Sequence, residues 1–147
     1  MKKIVFIFPL ALFVLIISSC NAQNANINSE NTRSIGATTK KGTFKNVDAK
    51  AFANLANDAN NILIDVRTPG EFAQGHIKGA RLINVSNYSF SEKINKLDKN
   101  KTYLVYCRSG SRSRRAVSKM KAAGFTNIYN LQGGIRSWVG PGMKLVR

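Results

Sequence analysis

The residues of this sequence that could carry out chemistry are concentrated in the stretch YCRSGSRSRRA, residues 106–116. Cys107 is a potential nucleophile, and Gly110 allows the backbone behind it to turn several amide N–H groups toward one point. The arginines and the N-terminus of a following helix would add positive charge, which stabilises an anion and lowers the pKa of a thiol. The predicted catalytic residue is therefore Cys107. The predicted anion-binding residues are Arg108, Ser109, Gly110, Ser111 and Arg112.

The alternative interpretation of this stretch is a structural cysteine that is buried at the end of a strand and followed by a solvent-facing basic helix. Two features favour a functional site. Gly110 follows the cysteine by three residues, and Arg112 follows it by five. A glycine and an arginine at these positions are suited to a loop that holds negative charge.

Strand and helix patterns alternate around this loop and must position it. Compact apolar or β-branched runs predict strands at 61–66, 82–85, 102–107 and 125–131. Amphipathic or capped segments predict helices within 46–58, around 71–74, within 89–98, at 111–123 and within 133–142. Asp48 is the predicted N-cap of the first helix, a serine is expected to cap the helix within 89–98, and Gly124 is expected to end the helix that follows the cysteine.

The short links between these elements predict an α/β fold with three layers, in which helices cover both faces of a mostly parallel central sheet. Residues 102–107 are the most strand-like run and are predicted to be the central strand. Active sites of open parallel sheets form beyond the carboxyl ends of the strands. Cys107 is expected at such an edge, while Phe125 and Trp138 are expected in the core.

The N-terminal residues predict export. Lys2 and Lys3 precede an apolar run at 4–17, which is shorter than the roughly 20 residues of a membrane-spanning helix and is typical of a signal peptide. The following residues, Ile17-Ser18-Ser19-Cys20, resemble a bacterial lipobox. We therefore expect a lipoprotein signal peptide at 1–19 and lipid on Cys20. There are two alternatives to this interpretation of the N-terminal residues: a permanent transmembrane helix, and a secretory signal peptide that is cleaved at another position.

Residues 20–41 are rich in Asn, Ser and Thr and predict a flexible tether, followed by one domain at 42–147. Together these segments predict a protein of the bacterial cell envelope that faces the periplasm on a lipid anchor. Lipid on Cys20 would leave Cys107 as the sole thiol of the folded domain. An unpaired cysteine in an oxidising compartment favours a functional role.

The chain is strongly basic, with a formal net charge of +16. Such a charge is compatible with nucleic acid as a partner. However, the aromatic residues do not alternate with the basic ones as a base-stacking surface requires, and an exported protein meets little nucleic acid. We expect no nucleic-acid partner, and attribute the scattered lysines to a basic surface or to attraction toward anionic lipid headgroups.

Three segments of the chain resemble a known family. DVRTPGEFAQGHIKGARLINV, VYCRSGSRS and LQGGIRSWVGPGMKL match, in order, the signature segments of single-domain rhodanese-like sulfurtransferases. The resemblance covers about residues 43–147. It implies a rhodanese-like fold and an enzyme of the thiosulfate sulfurtransferase type.

The resemblance also implies a mechanism. The Cys107 thiolate would attack the outer sulfur of an anionic donor such as thiosulfate and release sulfite, and the persulfide would pass its sulfur to cyanide or to a thiol. The loop amides of 108–112 would hold the terminal sulfur anion, while Arg108 and Arg112 would attract the donor. No cofactor and no metal are expected for this chemistry.

Asp65, Arg67, Glu71 and His76 lie in the first of the three segments. The pair formed by Asp65 and Arg67 is expected to support the loop after its strand by hydrogen bonds. His76 could act as a general base, but a persulfide mechanism that starts from a ready thiolate needs none.

Two other activities remain open. Phosphatases of the same fold carry one more residue between the cysteine and the arginine, and here position 113 is serine, so the loop favours sulfur transfer. A rhodanese-like domain can also serve as a persulfide carrier or binding module that acts with a partner protein. Intact Cys107 favours an active enzyme, for which a protein sulfur acceptor is a further possible partner.

Overall fold

The computed structural model describes residues 42–147. The predicted signal peptide at 1–19 and the predicted tether at 20–41, which begins with Cys20, lie outside the described residues. Within the described part of the chain, none of the helices is long and apolar enough to cross a membrane.

Ten elements alternate along the described chain. The strands are β1 (Thr43–Val47), β2 (Ile62–Asp65), β3 (Arg81–Leu82), β4 (Thr102–Tyr106) and β5 (Asn127–Leu131). The helices are α1 (Ala49–Ala56), α2 (Pro69–Gln74), α3 (Phe90–Asn95), α4 (Ser111–Ala122) and α5 (Ile135–Val139). The predicted order of strands and helices after residue 48 is confirmed.

The five strands form one sheet in the order β1-β5-β4-β2-β3, and every pairing in it is parallel. The predicted parallel α/β architecture is therefore confirmed. β4 occupies the middle of the sheet, where Leu104 is paired with Leu63 of β2 and with Tyr129 of β5. Because its neighbours cover both edges and helices cover both faces, the end of β4 is a rigid place to hold Cys107.

Side chains of successive strand residues point to opposite faces, and this alternation divides the core into two layers. Tyr103 and Val105 of β4 pack with α3 and α4, whereas Leu104 and Tyr106 pack with α1 and α5. Phe125 lies in the first layer with 2% of its surface exposed, and Trp138 lies in the second with 8% exposed. Both are core residues, as predicted.

The structure differs from the sequence-based expectation in three elements. β1 was not predicted, because its residues are only half-buried or exposed and it pairs with a single neighbour, so its apolar signal is weak. β3 has two residues rather than four, although the amides of Ile83 and Val85 still donate to the carbonyls of Asp65 and Val66 at the end of β2. A serine, Ser89, occupies the N-cap position of α3 as predicted, but its hydroxyl makes no capping hydrogen bond and donates to Asn87.

The segment before α5 passes directly behind the backbone of Cys107. The amide of Ile135 donates to the Cys107 carbonyl at 2.8 Å, and the amide of Arg136 donates to the Arg108 carbonyl at 3.3 Å. Gly134 permits this approach: it has a φ of +64°, and a Cβ there would lie 2.5 Å from the Cys107 carbonyl oxygen. The start of α5 therefore fixes the backbone of Cys107 and Arg108 on the side where α5 packs.

This close approach makes Gly134 a sensitive position. We expect Gly134→Ala to lower the free energy of unfolding by about 2–3 kcal/mol, because a Cβ collides with backbone atoms in a conformation that L-residues rarely adopt. Urea denaturation checks this. The matched control is Gly70→Ala at the start of α2, where a Cβ meets nothing within 4 Å, so stability should stay constant or rise by up to about 1 kcal/mol. Equal stability of the two variants would contradict the prediction.

Candidate active site

Cys107 follows the last residue of β4 and lies at the floor of the loop that leads into α4. Its side chain is buried, with 1% of its surface exposed, and it borders the hydrophobic layer beneath α4. The sulfur nevertheless has a polar contact, because the amide of Gly110 donates a hydrogen bond to Cys107 Sγ at 3.1 Å. Cys107 is thus as buried as a structural cysteine, but its sulfur accepts a hydrogen bond from the loop in the way that a bound anion does.

The loop takes this form because of Gly110, which has a φ of +95° and is the N-cap of α4. Its carbonyl accepts from the amide of Arg114, which begins the helix, while its own amide turns back toward the sulfur. The N-terminus of a helix carries unpaired amide groups and a partial positive charge. The loop therefore directs both toward Cys107.

These contacts change the acidity of Cys107. Burial favours the neutral thiol, but hydrogen bonds from the Ser113 side chain and from the amides of Ser113, Ser109 and Gly110 outweigh it, so the pKa of Cys107 lies below its ordinary value. The largest favourable contributions come from Ser113 on the first turn of α4, followed by the loop amides of Ser109 and Gly110. A lowered pKa increases the fraction of thiolate, the nucleophilic form, near neutral pH.

Ser113 is buried with no measurable exposure and lies on the first turn of α4, facing the loop. Its hydroxyl is 3.1 Å from the Gly110 carbonyl, and the same hydroxyl contributes to stabilising the Cys107 thiolate. A hydroxyl has one proton to donate, and a thiolate is a stronger acceptor than a carbonyl. Ser113 is therefore an internal donor for a charged sulfur.

Arg112, one of the predicted donor-binding residues, makes an ion pair with Glu71 of α2. The two guanidinium nitrogens donate to the two carboxylate oxygens at 2.6 Å each. Glu71 is itself fixed by a capping box, because its carboxylate accepts from the amide and hydroxyl of Thr68 at the start of α2. The guanidinium of Arg112 is therefore already bound to a carboxylate beside the loop.

Asp65 and Arg67 form a buried pair at the end of β2, with the Arg67 Nη2 to Asp65 Oδ2 distance 2.6 Å. Asp65 also accepts from the Arg67 amide, and Arg67 donates to the Gly75 carbonyl at 2.7 Å. Nearby, the Tyr106 hydroxyl accepts from the amide of Ile77. These bonds tie the segment that carries α2, and hence Glu71, to the end of the sheet.

A pocket of about 350 Å³ opens beside the cysteine loop. Two arginines on its wall, Arg108 and Arg136, are exposed and come from the loop and from α5. The remaining lining residues are Arg67, Glu71, Gln74, Gly75, Ile135, Val139 and Leu145. The pocket therefore offers a basic wall on which an anion can bind, together with an apolar side.

His76 does not form part of the cysteine loop. Its ring stacks on Phe72 with a centroid distance of 3.7 Å, and its Nδ1 lies 3.1 Å from the Phe72 carbonyl. Its backbone pairs with Val146 near the C-terminus. These contacts indicate a packing role that secures the end of α2.

Residues 107–112 form the loop and the start of α4, while Asp65 and Arg67 bond to each other and to Gly75 and so hold the segment after β2. Sequence reasoning missed three further residues. Ser113 was visible as a serine next to the predicted arginine, and Glu71 was visible within the first family segment, but neither had a sequence-based role. Arg136 is distant in the sequence, and only the packing of α5 behind Cys107 brings it to the pocket.

The comparisons with known proteins agree with this geometry. The model of the rhodanese-like domain family matches residues 48–141. The chain is 32% identical over 95 residues to the thiosulfate sulfurtransferase GlpE of Pseudomonas putida, covering 65% of this chain and 84% of that protein. It is 30% identical to a rhodanese-related protein of Thermoplasma volcanium, whose crystal structure matches with a TM-score of 0.62 over 69% of this chain and 97% of that one.

A further relative is much longer. The protein MoeZ of Mycobacterium tuberculosis, named a probable adenylyltransferase/sulfurtransferase, is 45% identical over 76 residues. These residues are 52% of this chain, and the match spans only 19% of the length of MoeZ. The likeness to MoeZ is thus limited to one part of that protein. From the match over 48–141 and the shared fold, the chain belongs to the rhodanese-like domain family, whose relatives include sulfurtransferases.

Proposed function

We propose that this protein is a sulfurtransferase that moves a sulfane sulfur from an anionic donor such as thiosulfate to a thiophilic acceptor through a persulfide on Cys107. The observation that carries the proposal is the hydrogen bond from the Gly110 amide to Cys107 Sγ, in a loop that lowers the pKa of the thiol. The sulfurtransferase activity named for the relative GlpE supports it.

In the first step, the Cys107 thiolate attacks the outer sulfur of thiosulfate. A new S–S bond forms, the S–S bond of the donor breaks, and its electron pair leaves with sulfite. The product is a persulfide anion on Cys107, whose terminal sulfur extends the negative charge outward from the loop floor. The amides that stabilise the thiolate and the N-terminus of α4 favour this anion in the same way.

In the second step, the acceptor attacks the terminal sulfur of the persulfide. Cyanide becomes thiocyanate, whereas a thiolate becomes a persulfide, and the electron pair of the broken S–S bond returns to Cys107 as thiolate. No oxidant or reductant is consumed over the cycle. Because the thiolate is regenerated at each turnover, no general base is needed.

The pocket beside the loop is suited to both substrates. Arg108 and Arg136 provide positive charge for an anionic donor. Val139 and Leu145, which are 44% and 36% exposed, form an apolar side of the same pocket. This side supports a thiol carried by a larger molecule, including a protein, as an acceptor. If a protein partner is essential, free thiosulfate will not load Cys107 without it.

The proposal predicts that Cys107→Ser abolishes the formation of thiocyanate from thiosulfate and cyanide. Incubation of the unaltered protein with thiosulfate alone should add the mass of one sulfur atom to the peptide containing Cys107. Mass spectrometry after proteolysis checks this. Cys20→Ser is the matched control, since it removes the other cysteine of the chain and should leave both results unchanged. No turnover and no added sulfur in the unaltered protein would refute the proposal.

The lowered pKa of Cys107 predicts a pH dependence. The rate of alkylation by iodoacetamide should rise with pH and level off once the thiol is ionised, with its midpoint below that of free cysteine at about 8.5. Ser113→Ala should move the midpoint to higher pH and slow the reaction at pH 7 by about tenfold, the effect of one lost hydrogen bond to a charged group.

The matched control is Ser118→Ala, which removes an exposed hydroxyl from the same helix. Its midpoint should equal that of the unaltered protein. Folded stability should follow the same titration, because a thiol with a lowered pKa in the folded state contributes stability at high pH that is lost as the pH falls through that pKa. A midpoint at or above that of free cysteine would contradict the prediction.

We also propose that the protein is exported and anchored to a membrane by lipid on Cys20, facing the periplasm. The charged start of the chain, the apolar run at 4–17 and the lipobox-like residues before Cys20 support this. Metabolic labelling of producing cells with a fatty acid should label the unaltered protein but not Cys20→Ala. Label that persists in Cys20→Ala would exclude Cys20 as the lipidated residue.

A further inference from the structure

Five arginines lie beside the loop or line its pocket, and they differ in how their charge is compensated. Arg67 is paired with Asp65, and Arg112 is paired with Glu71. Among the described residues, Arg108, Arg114 and Arg136 have no carboxylate within 4 Å, and of these Arg108 and Arg136 line the pocket. The charge of Arg112 is therefore compensated by Glu71. The positive charge that is available to a ligand in the pocket lies on Arg108 and Arg136.

The pairing of Glu71 with Arg112 is built by the fold rather than formed by two mobile surface chains. Both side chains are about three-quarters buried, with 25% and 26% of their surface exposed. Thr68 holds the carboxylate by its amide at 3.2 Å and its hydroxyl at 3.0 Å. The capping box of α2 thus places the carboxylate before any ligand arrives.

The Glu71 carboxylate is negatively charged near neutral pH. Hydrogen bonds from Arg112, followed by those from Thr68, outweigh the effect of burial and lower the pKa of Glu71 to about 2. The pKa of Arg112 is raised, mainly by its hydrogen bonds to Glu71. Electrostatic attraction between Arg112 and Cys107 raises it further. A change in the charge of Glu71 will therefore change the electrostatic potential at Cys107 Sγ.

We propose that Glu71 is a positioning and specificity-determining residue that compensates the charge of Arg112 and so limits the negative charge of the donor that reaches Cys107. The proposal rests on the sulfurtransferase function proposed above. With Glu71 in place, the loop attracts an anion by its amides and by the arginines of the pocket. A dianion must approach the reacting sulfur past a fixed carboxylate, and a monoanion is repelled less.

Two donors that react by the same chemistry separate this effect from the reaction itself. Thiosulfate is a dianion that transfers its outer sulfur and releases sulfite. Methanethiosulfonate is a monoanion that transfers its outer sulfur to the same Cys107 thiolate, and the electron pair of its broken S–S bond leaves with methanesulfinate. Both give the same persulfide, so a difference between them reports the charge and size of the donor.

The substitution Glu71→Gln removes the charge but keeps a side chain that can accept from Arg112 and Thr68. We expect it to raise kcat/KM for thiosulfate about three- to tenfold, as for one charge in a partly exposed site, and to raise kcat/KM for methanethiosulfonate by a smaller factor. The effect should lie mainly in KM. Glu92→Gln is the matched control, since Glu92 forms an exposed pair with Lys96 on α3, and it should change neither value.

A second measurement tests the charge without any sulfur transfer. Iodoacetate and iodoacetamide alkylate the same Cys107 thiolate, but only iodoacetate carries a negative charge. The ratio of their rates should rise about three- to tenfold in Glu71→Gln and stay constant in Glu92→Gln. Glu71→Asp, which keeps the charge, should restore a ratio close to that of the unaltered protein, whereas a purely structural role would make it resemble Glu71→Gln. Thermal denaturation verifies that each variant is folded.

The outcomes distinguish this inference from the proposed function. If the rate ratio rises but neither donor loads Cys107, the sulfurtransferase function is wrong and the compensation by Glu71 stands. If both donors react but the ratio of the alkylation rates does not change in Glu71→Gln, the inference is overturned. It is also overturned if Glu71→Gln changes kcat/KM for the two donors equally.

Discussion

A negative charge on a buried sulfur is the constraint around which this structure is organised. Removing a thiolate from water is costly, and at Cys107 burial alone would keep the thiol protonated. This effect is reversed by the amide of Gly110, which donates to the sulfur, and by the neighbouring amides and Ser113 hydroxyl, which together lower the pKa of Cys107. Because the amide donors belong to the backbone, they are in place before a ligand binds, and only the Ser113 hydroxyl has to turn from the Gly110 carbonyl toward the sulfur.

The loop is held from two sides, and each side uses a different kind of contact. Behind it, the segment around Gly134 approaches so closely that the backbone of α5 bonds the carbonyls of Cys107 and Arg108. On the other side, Arg112 is bound to Glu71 of α2, and the buried pair of Asp65 and Arg67 fixes the chain that leads to α2. A cysteine loop that is tied on both sides keeps its amides aimed at one point, which a surface loop could not do.

The electrostatic design is one of selective compensation. The chain is strongly basic, yet Arg67 and Arg112 are bound to carboxylates, whereas Arg108 and Arg136 are not. The uncompensated ones lie on the pocket wall, where they can attract an anion without displacing another group. Charge for binding and charge for holding the architecture are thus carried by different residues, although all four are arginines.

The sequence by itself determined the parallel α/β class, the position of Cys107 at the end of the central strand and the loop behind it. These features follow from local patterns: apolar runs of strand length, a glycine able to adopt a positive φ, and a helix directly after the loop. β1 escaped detection because an edge strand with half-buried residues leaves little apolar pattern. The apolar layers of the core were likewise foreseeable at Phe125 and Trp138, since large apolar side chains have few other places to go.

Only the tertiary structure decided how the charged residues are paired and which of them line the pocket. Glu71 and Arg112 are 41 residues apart in sequence, and their contact depends on how the capped α2 packs against the start of α4. Arg136 reaches the pocket because Gly134 lets α5 pass behind Cys107. A sequence pattern reports the environment of each residue along its own element. It does not contain the distances between elements, and electrostatic interactions depend on those distances.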